Sequence, residues 1–153
     1  MEIALYEPDI PQNTGTIMRL GACLGVAVHI IEPAGFPVSD RAFKRAGLDY
    51  LDRVKIERHV SFVAFDTWRK DNGRRLVLLT TRGRHPYPSF DFKAGDLLLC
   101  GRESAGVPDT VHAAVDDSVR IPMREGLRSL NIAVALAMVL GEALRQTGRL
   151  TDG

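Results

Sequence analysis

Residues 121–146 read IPMREGLRSLNIAVALAMVLGEALRQ. They begin as the end of a strand, pass through a loop containing Gly126, and continue as the longest helical pattern in the chain. Leu130, Ala133, Val134, Ala137, Leu140, Gly141 and Leu144 recur at helical spacing, which predicts one apolar face. Ser129 stands just before the pattern. It is the expected N-cap, because its hydroxyl can accept from a first-turn N–H. The small residues Ala133, Ala135, Ala137 and Gly141 would admit another backbone at close range. A helix N-terminus that follows a flexible loop suits a polar ligand. A plain buried C-terminal helix would show the same periodicity.

Working outward, the N-terminal region opens with an apolar run, Ile3 to Tyr6, stopped by Glu7-Pro8. The turn-rich segment PDIPQNTG follows, with Asn13 or Thr14 as the expected cap of a helix over 15–24. Gly25 suits the stop of that helix, and 26–31 is a second apolar run. Strand, helix, strand at this spacing is a βαβ unit, so the two strands should be parallel. A short helix is expected over 40–46, an edge strand over 54–56, and a Ser61-capped helix with Phe62, Phe65 and Trp68 inward. Strands are expected at 76–79, 97–100 and 118–121, and a short helix over 107–114. RGRHPYPSFDFKAGD reads as a long loop, since Pro86 and Pro88 forbid helix. The sum is a single α/β domain over 1–153 with a mostly parallel sheet flanked by helices. In such sheets the ligand crevice lies beyond the carboxyl ends of the strands, which points to the loops after Leu79, Cys100 and Ile121.

Composition narrows the class. With 45% hydrophobic and 25% charged residues the chain has ordinary globular values. No run of about 18 apolar residues suggests a membrane span. MEIALYEPDI lacks the basic start of a signal peptide. Two cysteines, Cys23 and Cys100, are too few for a disulfide framework, so a cytoplasmic location is expected. A net charge of +1 does not announce a nucleic-acid partner. Between Arg69 and Arg84, however, lie Arg69, Lys70, Arg74, Arg75, Arg82 and Arg84 against Asp71 alone. Such local density can meet phosphates, or be a solvated surface of mixed charge.

The common chemical motifs are missing. There is neither a G-x-G-x-x-G opening a helix nor a P-loop. GRESAG has the wrong spacing for a nucleophile elbow built on Ser104. His29, His59, His85 and His112 do not cluster with cysteines or carboxylates at ligand spacing, so no metal is expected. His29, inside an apolar strand, reads as structural.

An ordered set of segments carries more. Asn13-Thr14-Gly15 with Arg19, then LLLCGRESAGVP, then IPMREGLRSLNIAVA, resemble the three motifs of the SPOUT superfamily of RNA methyltransferases. IALYEPDIPQNTGTIMRL, HIIEPAGF, RAGLDY, LTTRG and RIPM resemble its short TrmL-like branch, which methylates the ribose 2′-hydroxyl of the tRNA wobble nucleotide. The likeness covers almost the whole chain. It implies a C-terminal deep trefoil knot, S-adenosylmethionine as cofactor, and a homodimer with the first and last helices at its interface. It implies tRNA as partner, with cytidine or uridine 34 of a leucine tRNA as the expected target. The dimer surface itself would grip the RNA.

By the same resemblance Leu79, Gly101, Ile121, Met123, Ser129 and Leu130 would bind the cofactor. Arg19, Asn13, Glu103 and Asn131 would serve catalysis. A free guanidinium is a poor base, so Arg19 is expected to fix a phosphate and ease charge on the attacking oxygen. Asn13 and Asn131 would orient the ribose or Arg19, and Glu103 would pair with Arg19 or a backbone N–H. Asn13 and Ser129 would equally suit helix caps in any protein. Arg102 departs from the branch, which often has proline there. Methylation of ribosomal RNA, or RNA binding without catalysis, are the alternatives.

Overall fold

Parallel strands make the whole sheet in the computed structural model, which describes residues 1–39, 41 and 51–150. They are β1 (Glu2–Tyr6), β2 (Val28–Ile31), β3 (Ile56–His59), β4 (Leu76–Leu79), β5 (His85–Pro86), β6 (Leu97–Cys100) and β7 (Asp117–Arg120). Their order is β3-β2-β1-β6-β4-β7-β5. Every pairing is parallel, including the β1–β2 pair expected of the βαβ unit. β2, β4 and β6 are buried at every position. Strands buried along their whole length, LVLL and LLLC apolar throughout and VHII with one histidine, belong to a sheet covered on both faces.

Helices α1 (Pro11–Leu24) and α4 (Ile132–Gln146) cover one face, α2 (Phe62–Asp71) and α3 (Asp109–Ala114) the other. Ile17 and Met18 of α1 meet Leu136, Leu140 and Ala143 of α4 over Ile3, Ile30 and Leu98. Phe65 and Val111 pack over Ala4, Ile31, Leu78 and Leu99. Leu136 and Leu140 are wholly inaccessible, so truncating either to alanine costs about 2–5 kcal/mol.

Several local expectations are corrected. α1 starts at Pro11, not 15, because proline pre-sets the first helical position; Ile10 precedes it and no side chain caps it. Gly25 does end that helix, at φ 63°. The cap of α4 is Asn131 rather than Ser129: its side chain accepts from the amides of Ala133 and Val134. The buried face of α4 is also rotated from the expected one. Ala133, Leu136, Val139, Leu140, Ala143 and Leu144 point inward, whereas Leu130, Val134 and Met138 are exposed. The apolar residues nearly encircle this helix, so periodicity alone could not select the inner face.

The edge strand lies at 56–59 rather than 54–56, and the last strand ends at Arg120. The 82–96 loop contains β5 and a single 3₁₀ turn, Tyr87–Ser89. Ser61 caps α2 as expected, accepting from Ala64 N. The helix expected over 40–46 lies outside the described residues. No helix among the described residues is long and apolar enough to cross a membrane.

Much of the basic 69–84 segment is spent inside the fold. Arg69 is buried and holds Asp66 and Asp116, each at 2.7 Å. Arg75 clasps the buried Asp96 at 2.7 Å, and Arg74 reaches Glu2 at 3.3 Å. Arg82 and Arg84 remain exposed.

Candidate active site

The carboxyl ends of β4, β6 and β7 face the N-termini of α1 and α4 across a cavity of about 460 Å³. Leu78, Leu79, Thr80 and Thr81 line it from β4. Gly101, Arg102, Glu103, Gly106 and Val107 come from the loop after β6, and Ile121 and Met123 from the loop after β7. Ser129, Leu130, Asn131, Ile132 and Ala135 close it from α4 and its approach, Ile10 and Asn13 from α1. A parallel sheet places its strand ends, and so its variable loops, on one rim, which is why distant segments meet here.

Two loops are shaped by backbone contact. Arg102 and Gly106 exchange both of their backbone hydrogen bonds, N to O at 2.9 and 2.8 Å. A Cβ on Gly101 would stand 2.6 Å from the Gly106 carbonyl carbon. Glycine at 101 is therefore required by the protein's own backbone, where the sequence suggested a ligand's approach. The Arg102 N–H is a donor that proline would remove. The turn after β4 is tighter still: a Cβ on Gly83 would lie 2.2 Å from the Val119 carbonyl carbon in β7.

β1 ends in a turn with Glu7 at φ 40°, which brings Asp9 against the loop after β6. Asp9 N donates to Glu103 Oε2 at 3.3 Å, and Glu103 N donates to Asp9 Oδ1 at 3.2 Å. The Ser104 hydroxyl donates to Asp9 Oδ2. Hydrogen bonding with Glu103 holds the Asp9 carboxyl down at about 2. Burial, and then Asp9, pushes Glu103 above its ordinary value. Among the described residues no ion pair joins Glu103 to Arg19. Glu103 takes the other expected partner, a backbone N–H. On the opposite wall Asn131 Nδ2 donates to Asn13 Oδ1 at 3.0 Å.

Asn13, Leu79, Gly101, Glu103, Ile121, Met123, Ser129, Leu130 and Asn131, all singled out from sequence, thus line one cavity. Arg19 does not line it; it stands on the exposed side of α1. Sequence reasoning missed Thr80, Thr81, Val107 and Ile10. Thr80 and Thr81 directly follow an apolar strand end, and that position was the available signal.

A polar-rimmed, apolar-walled crevice at the strand ends of a parallel α/β sheet defines a site for a nucleotide-like ligand. The sequence profile of the SpoU rRNA Methylase family matches residues 1–141, and the chain belongs to that family. The tRNA (cytidine(34)-2'-O)-methyltransferase of Beijerinckia indica is 66% identical over 148 residues, covering 97% of this chain and 92% of that one. The enzyme of the same name from Escherichia coli K12 is 41% identical over 150 residues, covering 97% and 94%. A solved structure concerned with 2-OH methylation of C/U34 on tRNA superposes with a TM-score of 0.87 at 42% identity, covering 95% of this chain and 94% of that one. The SpoU methyltransferase AviRb of Streptomyces viridochromogenes, solved with AdoMet, gives a TM-score of 0.86 at 29% identity, covering 95% and 60%. The SPOUT likeness drawn from the loop motifs is borne out, as is the parallel α/β sheet.

Proposed function

We propose that the chain methylates the ribose 2′-hydroxyl of nucleotide 34, the wobble cytidine or uridine, in tRNA, using S-adenosylmethionine. The convergence of three strand-end loops and two helix N-termini on one cavity carries this reading. The lining fits the cofactor's parts. Leu78, Leu79, Ile121 and Ile132 offer apolar walls to a purine; Ser129, Asn131 and Thr80 offer polar partners to its sugar and amino-acid ends. When bound, S-adenosylmethionine supplies an electrophilic methyl group on a sulfonium.

The chain's own residues do the rest. Asn131 fixes the start of α4 and holds Asn13 beside the cavity. Glu103, anchored on Asp9, keeps an acidic group on the wall. The guanidinium of Arg19, a planar fork of N–H donors, binds a phosphate and stabilises the developing oxyanion. Exposed Arg82, Arg84, Arg124 and Arg128 stand in the two loops flanking the cavity and neutralise RNA phosphates.

The working unit is a homodimer. Val134 and Met138, 52% and 41% exposed, form an apolar patch on the outer side of α4, continued by Leu130 just before its start. Because α1 lies beside α4 and its Arg19 does not line the cavity of its own chain, Arg19 acts on the partner's cavity. The sheet order β4-β7-β5, in which the short connection from β4 to β5 passes over the end of β7, supports a C-terminal trefoil knot. Free cysteines fit a reducing cytoplasm.

Labelled cofactor offered with a leucine tRNA, other tRNAs and ribosomal RNA tests the assignment. Label at the 2′-oxygen of nucleotide 34 is expected. Label confined to ribosomal RNA, or none with any RNA, would overturn it.

A further inference from the structure

Well away from the methyl-transfer cavity, with β1 between, the outer strands β2 and β3 bring three ligand-type side chains together. The β2–β3 register sets His29 opposite Glu57 and Ile31 opposite His59. Alternation along a strand then puts His29, Glu57 and His59 on one face. Their nearest ligand atoms all lie within 4.8 Å of one another. His29 Nδ1 is 3.0 Å from His59 Nε2 and 3.7 Å from Glu57 Oε2. Thirty residues separate the two histidines in sequence, so their spacing there gave no sign of a cluster.

We propose that His29, His59 and Glu57 form a binding site for a divalent transition-metal ion of the zinc class. Two imidazoles and one carboxylate, with solvent in a fourth position, are a recurrent zinc donor set. Glu2 sets the tautomer: its Oε2 lies 2.7 Å from His29 Nε2 and 3.3 Å from Arg74 Nη1. Paired with Arg74, that carboxylate accepts the Nε2 proton and leaves the Nδ1 lone pair facing His59 and Glu57. A carboxylate behind the imidazole is the usual support for a metal-ligating histidine. Two nitrogens each about 2.0–2.1 Å from a tetrahedral ion are roughly 3.3 Å apart, close to the separation already present. His29 is fully buried, so its ring is held in place, while Glu57 is 27% exposed and gives an ion its entry. Lys55 binds Glu57 Oε1 and leaves Oε2, the oxygen nearer His29, available. The ion would join the edge strand β3 to β2.

Trp68 is the only tryptophan, and its ring lies 4.7 Å from His29 and 5.4 Å from His59. Its fluorescence therefore reports the site. Tag-free protein, stripped with chelator, is titrated with Co²⁺ by fluorescence and with Zn²⁺ by calorimetry. Saturable quenching, one Zn²⁺ per chain and a higher unfolding temperature with Zn²⁺ are expected. His59→Ala, at the half-exposed edge, should abolish all three while keeping the circular dichroism of the parent. Glu2→Gln should weaken Zn²⁺ binding about 10–100-fold, and His112→Ala should change nothing. Absence of binding, which would leave a plain His29–His59 hydrogen bond, or equal binding by the His59→Ala protein, would overturn the proposal. Methylation activity enters none of these measurements.

Discussion

Asn131 and Asn13 are joined across the mouth of the cavity, Nδ2 to Oδ1 at 3.0 Å, while the Asn131 Oδ1 also accepts from the Ala133 and Val134 amides. One side chain therefore caps the last helix and ties it to the first. The cap orients α4, and the tie sets the gap in which the cavity lies.

These two duties separate by mutation. Asn131→Ala loses both and should cost about 1–2 kcal/mol in urea unfolding, with activity lost. Asn131→Asp keeps the capping oxygen but has no N–H for Asn13. It should retain parental stability and still lose activity. Because Asn13 can turn its own amide to donate to the introduced carboxylate, Asn13→Ala is the paired control: equal activity there would show that the tie is dispensable.

The glycine contacts predict graded damage. Gly101→Ala must push the Gly106 backbone from 2.6 Å and open the loop after β6. We expect weaker cofactor binding by calorimetry and a loss of about 1–3 kcal/mol. Gly83→Ala drives a Cβ into β7 itself, at 2.2 Å from the Val119 carbonyl carbon, and should fold poorly or not at all. A well-folded Gly83→Ala protein would contradict the packing of the β4–β5 turn on β7.

Arg19→Ala should abolish turnover while leaving cofactor affinity unchanged, because the groups Arg19 is proposed to hold are the RNA phosphate and the attacking oxygen, not the cofactor. Mixing it with Gly101→Ala protein gives a sharper outcome. In the proposed homodimer a mixed pair has one intact cavity and one native Arg19 to serve it, so partial activity should return. No recovery in verified mixed dimers would place Arg19 at its own chain's site.

Acid stability follows from Asp9. Its carboxyl falls from 3.8 to about 2 on folding, so the folded state favours the ionised form. Asp9's share of the stabilisation is lost as the pH drops through about 2, while Glu103, raised by burial and by Asp9, works in the opposite sense as it ionises. Asp9→Asn should be less stable at neutral pH, and its deficit should shrink across that interval. A constant deficit from neutral pH to about 2 would remove Asp9 from the acid transition.

The two thiols should differ in native protein. Burial pushes Cys100 up to about 12, whereas Cys23 is exposed. Alkylation followed by peptide mapping should mark Cys23 and spare Cys100 until denaturant is added. Labelling of Cys100 in folded protein would contradict its place in β6.

β4 and β6 were legible because each is an unbroken apolar run bounded by turn formers, LVLL and LLLC. The site residues were legible because their three segments keep a family order along the chain. The inner face of α4 was not, since its apolar positions run nearly all round and only the position of α1 and the sheet chooses among them. Ser129 and Asn131 both suit a cap by composition, and only the loop's path decided between them.

Sequence by itself determined the α/β class, the parallel pairing of β1 with β2, and the segments that carry chemistry, since these follow from local periodicity and spacing. Tertiary structure decided what those segments touch. It brought Asp66, Asp96 and Asp116 to the arginines of the 69–84 segment, left Arg19 outside the cavity, and set His29 beside His59. The pairs with Asp96 and Asp116 and the two histidines join residues far apart in the chain, and such meetings depend on strand order and register, which no local pattern encodes; Asp66, three residues before Arg69 on α2, is the local exception.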